Sequence, residues 1–200
     1  MRTLEAAALR LKKRRMARRG IMPRLWLFSD PARLPDPHAA LAALPRGSGA
    51  VARGVHAPLL PRLVRLARRR GGVLLVGGHG RAALRLRAGL HLPDRPTTSE
   101  LLPFLIARRR GAAWAVLSAA AHGPAGLRRA RRLAADLVFL SPAFPTPSHP
   151  GAPVLGPLRW AALARRAGRP CAALGGITPA TAGRLPRGVA GLAAITALMR

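Results

Sequence analysis

From Leu25 onward, short apolar runs alternate with longer segments of helical period, and this alternation constrains the fold of the 200-residue chain more than any other feature. Repeated strand–helix–strand units argue for a parallel sheet. The runs predict strands over Leu25–Phe28, Ala50–Arg53, Val73–Val76, Gly89–His91, Ala115–Leu117, Leu137–Leu140, Cys171–Leu174 and Gly191–Ile195. Helices are expected over Pro37–Leu44, Leu59–Arg70, Arg81–Arg87, Thr98–Arg109, Pro124–Ala134, Gly156–Ala167 and Pro179–Leu185, with Thr98 supplying an N-cap hydroxyl. Eight strands with interleaved helices predict an α/β fold, a closed (β/α)8 TIM barrel. Because the chain is short for that architecture and stops soon after the eighth strand, the last helix is expected to be missing or truncated. A doubly wound open sheet is the alternative, but no G-x-G-x-x-G follows the first strand.

Charge comes next. Thirty-five basic residues, all arginine except Lys12 and Lys13, face six acids, giving a net charge of +29. This favours anionic partners, whether nucleic acid, an acidic membrane surface or a phosphorylated small molecule, and does not choose among them. A GC-rich coding sequence accounts for the arginine bias equally well. Nucleic-acid binding usually adds stacking aromatics, and the three tryptophans map to strands or helices, so no nucleic-acid partner is expected. Residues 1–21 supply +7 of the charge and read as a basic tail, disordered or upstream of a start at Met16 or Met22, ahead of a barrel over residues 22–200. No apolar run reaches the ~18 residues of a membrane span, and the single Cys171 fits a reducing compartment. A cytoplasmic protein with no membrane partner is the expectation.

A barrel of this kind gathers function at the C-terminal ends of its strands. Only Asp30 and Asp94 fall there among the acids, which disfavours a paired-carboxylate hydrolase. Gly175-Gly176 follows the seventh strand and precedes Ile177-Thr178-Pro179. Residues without a Cβ let an anion approach backbone N–H groups, and Thr196 adds a hydroxyl after the eighth strand, so a phosphate site between these loops is expected.

Three blocks carry a family likeness. Asp136-Leu137-Val138-Phe139-Leu140-Ser141-Pro142-Ala143-Phe144-Pro145-Thr146-Pro147-Ser148-His149-Pro150, followed by Ala173-Leu174-Gly175-Gly176-Ile177, resembles the thiamine phosphate synthase/TenI family. Gly89-Leu90-His91-Leu92-Pro93 is similar to that family's fourth strand. The blocks lie in family order over the last 110 residues or so; the first 88 match in layout and isolated positions. The resemblance implies a transferase that joins an aminopyrimidine methyl diphosphate to a thiazole phosphate in thiamine biosynthesis, with Mg2+ helping the diphosphate leave. It assigns substrate phosphate binding to Thr146, Ser148, Gly175, Gly176, Ile195 and Thr196, and catalytic roles to Arg53 and His122.

The diphosphate side departs from the pattern. Val51 and Val55 replace Gln and Lys, Gly77-Gly78 replace Asn-Asp, and His149 replaces Lys. Asp94 is the nearest candidate metal ligand, and His79 and His149 are the candidate diphosphate contacts, so retention of Mg2+ is in doubt. Three readings follow. The first is a divergent synthase. The second is a TenI-like thiazole tautomerase in which His122 moves a proton on a thiazole carboxylate phosphate, work that suits an imidazole and requires no metal. The third is a non-catalytic barrel that binds a phosphate ligand or RNA.

Overall fold

A computed structural model describes residues 3–16, 20–94, 101–146, 151 and 153–199. The elements run α1 (Leu4–Leu9), β1 (Leu25–Phe28), α2 (His38–Ala43), β2 (Gly49–Ala52), a 3-10 turn (Ala57–Leu59), α3 (Leu60–Arg69), β3 (Val73–Gly77), α4 (Gly80–Arg85) and β4 (Gly89–Leu92). The second half runs α5 (Leu101–Arg109), β5 (Leu117–Ala121), α6 (Pro124–Arg132), β6 (Leu137–Leu140), α7 (Gly156–Arg166), β7 (Cys171–Leu174), α8 (Pro179–Ala182), β8 (Gly191–Ala194) and a closing 3-10 turn (Thr196–Leu198). The strands are parallel in the order β1 to β8, and β8 closes on β1 through Leu25 opposite Leu192. The expected barrel is therefore present, and β8 is followed by a single 3-10 turn.

Two apolar layers hold it. The lumen is filled by Trp26, Phe28, Val51, Leu75 and Phe139, with Phe139 meeting Trp26 and Phe28 edge-on at 5.3 and 4.8 Å between centroids. Ring edges carry positive charge and faces negative, so this arrangement adds attraction to the area buried. Trp26 fits because Gly49 flanks it; a Cβ there would lie 2.3 Å from its ring. The outer layer joins strands to helices. On α3, Leu60, Leu63, Val64 and Ala67 face the barrel while Arg62, Arg65 and Arg69 face water, the 3.6-residue stripe of an amphipathic helix.

Sequence and structure differ at β5. The strand begins at Leu117, the last residue expected for it, and ends four residues later, because pairing to Leu92 and Leu140 extends the ladder through the alanines after Ser118. Alanine has little strand preference of its own, and tertiary pairing overrides it. Arg53 and Ile195 lie just beyond the ends of β2 and β8. Thr98 lies outside the described residues.

The segment read as a tail packs on the barrel. Thr3 caps α1, Leu4 and Ala8 are buried, and Arg24 donates to the Leu9 and Leu11 carbonyls at 2.7 and 2.9 Å. Arg15 and Ile21 form an antiparallel bridge, which turns Met16 and Met22 into the base of the lumen. The helical spacing of Leu4 and Ala8 thus serves packing.

At the strands' N-terminal end, Asp136 precedes β6 and accepts from the Leu117 N–H at 2.9 Å and from both terminal nitrogens of Arg108, one at 3.0 Å. Arg108 also donates to the Ala115 and Ala134 carbonyls at 2.9 and 2.6 Å. With their side chains only 8% and 5% exposed, this pair ties the end of α5 to the starts of β5 and β6.

Candidate active site at the barrel mouth

The C-terminal ends of β1 and β2 carry an ion-pair cluster. Asp30 accepts from the Ala32 and Arg33 N–H groups, from the Arg33 guanidinium at 3.0 Å and from Arg53 Nη2 at 2.8 Å. Arg33, above all, and these backbone donors hold its carboxyl well below the usual carboxylate range against the cost of burial. Beneath it, Ser29 Oγ donates to the Arg53 carbonyl and accepts from the Arg53 N–H at 2.6 Å, fixing where that arginine leaves the strand. Arg53 therefore reaches the mouth as expected, with Asp30 as a partner that sequence inspection did not supply.

Across the mouth, β4 and β5 bring together Asp94 and His122. Asp94 Oδ2 accepts from the His122 backbone N–H and lies 2.9 Å from His122 Nδ1. Gly126, in the first turn of α6, leaves room for the carboxylate, since a Cβ there would sit 2.8 Å from Asp94 Oδ1. The His122 side chain remains 58% exposed, open to a ligand in the mouth. An imidazole that donates Nδ1–H to a carboxylate presents a basic Nε2 outward, the arrangement of a general base.

His91 is different. It is buried in the lumen, 2.8 Å from Ser118 Oγ through Nδ1, with Phe28 and Phe139 against its ring. Burial, then the charges of Arg53 and Arg129, push its pKa from 6.5 down to about 3. The unfolded chain binds a proton below pH 6.5 that the folded chain refuses until about pH 3. This contribution to stability is thus complete above pH 6.5 and shrinks as the pH falls. Between pH 6.5 and 4 wild type is expected to lose about 3 kcal/mol more stability than His91→Gln, measured by urea unfolding. Equal losses would show that His91 titrates normally in the fold.

The loops after β6, β7 and β8 form a third group. Gly175 and Gly176 have φ of 87° and 63°, and a Cβ on Gly176 would lie 2.3 Å from the Pro145 carbonyl oxygen. Ala143 and Phe144 donate to the Leu174 and Gly175 carbonyls at 2.8 and 3.0 Å, locking the two loops together. Thr178 and Thr181 cap each other's backbone N–H at the start of α8, and Thr181 Oγ1 donates to the Gly176 carbonyl at 2.7 Å. Ile195 and Thr196 follow β8 next to this joint, and Thr196 is exposed. Thr146 lies half-buried at the end of the described β6 loop. Ser148 and His149 fall outside the described residues. His79 is exposed at the start of α4 and caps nothing with its side chain.

Among the described residues the donor set does not fit a family-type Mg2+ site. Among the described residues no three His, Cys, Asp or Glu side chains come together as ligands. Both oxygens of Asp30 serve arginines, and Asp94 serves His122. At Gly77, where the family pattern has Asn, a Cβ would lie 2.9 Å from the Ala52 carbonyl oxygen, so a larger side chain does not fit there without a shift. Mg2+ needs several oxygen ligands, usually including one or two carboxylates.

Fold and mouth together define a (β/α)8 protein with an Asp–His pair on one side of its mouth and a glycine-lined joint on the other. The chain belongs to the thiamine monophosphate synthase family, whose model matches residues 56–198. Among solved structures it is similar to a thiamine phosphate pyrophosphorylase from Pyrococcus furiosus, with 20% identity over 86% of this chain and 85% of that one and a TM-score of 0.67. A 2-keto-3-deoxy-6-phosphogluconate aldolase from Zymomonas mobilis shares 16% identity over 96% and 86% of the two chains, with a TM-score of 0.55. An HpcH/HpaI aldolase/citrate lyase family protein from Burkholderia cenocepacia shares 14% identity over 86% and 88%, with a TM-score of 0.59. At these identities the likeness is one of fold. No curated protein sequence matches significantly. Among the described residues no helix is long and apolar enough to cross a membrane.

Proposed function

We propose that this member of the family is a thiazole phosphate tautomerase, moving a proton on a thiazole carboxylate phosphate with His122 as the base. The observation that carries the reading is the Asp94–His122 pair, 2.9 Å apart, with the imidazole open to the mouth. His122 Nε2 takes the proton from one ring position and returns it at another, so nothing is consumed and no leaving group departs. Asp94 holds the ring and stabilises the imidazolium between the two steps. Gly176 and Thr196 supply a backbone N–H and a hydroxyl for the substrate phosphate, as the family pattern implies.

A second reading, the divergent synthase, draws support from the family itself and from Arg53, a guanidinium at the mouth that could meet a departing diphosphate. Its difficulty is Asp30, which already neutralises that arginine. One assay pair separates the two. The purified protein is expected to tautomerise the thiazole carboxylate phosphate without added metal, followed by ultraviolet absorbance or NMR. Formation of thiamine phosphate from the pyrimidine diphosphate and thiazole phosphate with Mg2+, and no tautomerisation, would replace the first reading by the second.

A further inference from the structure

In a barrel of parallel strands each helix returns the chain to the start of the next strand, so helix C-termini gather at the end opposite the mouth. There α3, α5, α6 and α7 each carry two or three arginines in the last turn. Among the described acids, Asp30, Asp36 and Asp94 lie at the mouth or at a helix start, Glu5 lies in the first turn of α1, and Asp136 is closed off by Arg108. The macrodipole favours such cations by about 0.3–1 kcal/mol, and Arg68 and Arg131 have ordinary duties on the Arg87 and Arg166 carbonyls at 2.7 and 3.0 Å. Arg165 and Arg169 are different: among the described residues they meet no carboxylate and cap no carbonyl. With Arg14, which reaches across to the Gly188 carbonyl at 3.2 Å, they line a groove of about 590 Å3 beside Trp160, Pro170 and Pro186.

We propose that the face around this groove binds the outside of a nucleic-acid duplex, whose backbone phosphates are held by Arg14, Arg165 and Arg169. Arginine suits the role because its planar fork pairs two oxygens of one phosphate. The aromatic inventory selects the duplex over a single strand. All four phenylalanines, Trp26 and Trp160 are buried, and Trp114 packs on Phe104, which leaves no stacking platform. A duplex needs none, since its affinity comes mainly from phosphate contacts and counterion release. A lipid surface fits less well, because α1 spends Leu4 and Ala8 on the barrel and leaves Leu9 and Ile21 as scattered aliphatics. Membrane binding of such helices scales with the apolar area they can insert.

The test is fluorescence anisotropy of the full chain with a random-sequence DNA or RNA duplex of about 20 base pairs, between about 50 and 200 mM salt. Binding is expected to weaken steeply with salt, and R165E/R169E to lose more than about tenfold in affinity near 100 mM. The control, R62E/R159E, reverses two exposed arginines outside the groove, one of them near the start of the same α7, and is expected to lose less than about threefold. Circular dichroism of both variants checks that each is folded. Equal losses in the two variants would overturn the site by making the attraction diffuse. Binding to vesicles of anionic phospholipid with none to the duplex would overturn the partner.

Discussion

Replacing Asp136 with alanine is expected to lower the stability of the barrel by about 3–5 kcal/mol, because it leaves the Arg108 guanidinium buried without its counter-charge. Arg108 would retain the Ala115 and Ala134 carbonyls, which are dipoles and not charges, and the Leu117 N–H would lose its acceptor. For a domain of this size the loss corresponds to a fall in Tm of about 6–20 °C. Replacing both members with apolar residues of similar volume should cost much less, since a buried ion pair roughly offsets its own desolvation. Urea unfolding of Asp136→Ala, Arg108→Met and Arg108→Met/Asp136→Leu gives the comparison. A loss below about 1 kcal/mol in Asp136→Ala would mean that water reaches Arg108 and that the pair is ornamental to the fold. The site is at the far end from the mouth, so KM of the folded fraction is expected to stay unchanged.

The barrel was legible because a parallel strand buried on both faces is a short apolar run, and eight of these stand between amphipathic segments. Leu137–Leu140 and Cys171–Leu174 are such runs, and their expected and observed bounds coincide. Ala119–Ala121 was not legible, since alanine belongs to strand or helix according to its neighbours, and only pairing with β4 and β6 decides. The same holds for Leu4 and Ala8, whose helical spacing in a highly basic segment carries no sign of the surface they cover.

At the mouth, the sequence placed His122, Arg53 and the two glycines at strand ends, because position along a strand is local information. Their partners were not local. Asp94 and His122 are 28 residues apart, and Asp30 and Arg53 are 23 apart, so each pair exists only because consecutive strands lie side by side. The usable signal was that both members follow neighbouring strands directly. Asp94, the nearest candidate metal ligand in the sequence, has its Oδ2 on the backbone N–H and ring of His122.

Removing the imidazole in His122→Ala is expected to lower kcat for tautomerisation by about 100- to 10,000-fold, the usual contribution of a positioned acid–base group. Asp94→Asn should do less, about 10- to 150-fold, since it takes the negative charge out of the hydrogen bond that holds the imidazolium, a charged bond worth about 1.5–3 kcal/mol. In the proposed reaction Asp94 acts through His122 as a positioning residue, so its loss should fall on kcat with KM nearly constant, because the proposed phosphate contacts, Gly176 and Thr196, lie across the mouth. The double variant is decisive. If aspartate acts only through the imidazole, His122→Ala/Asp94→Asn is expected to be no slower than His122→Ala alone, whereas independent contributions would multiply. Backbone geometry enters as well, since Asp94 Oδ2 also accepts the His122 N–H. Asparagine can keep that bond through its amide oxygen while failing to stabilise an imidazolium. A His122→Ala variant within about threefold of wild type would remove the base from the proposed reaction and return the choice to the synthase reading.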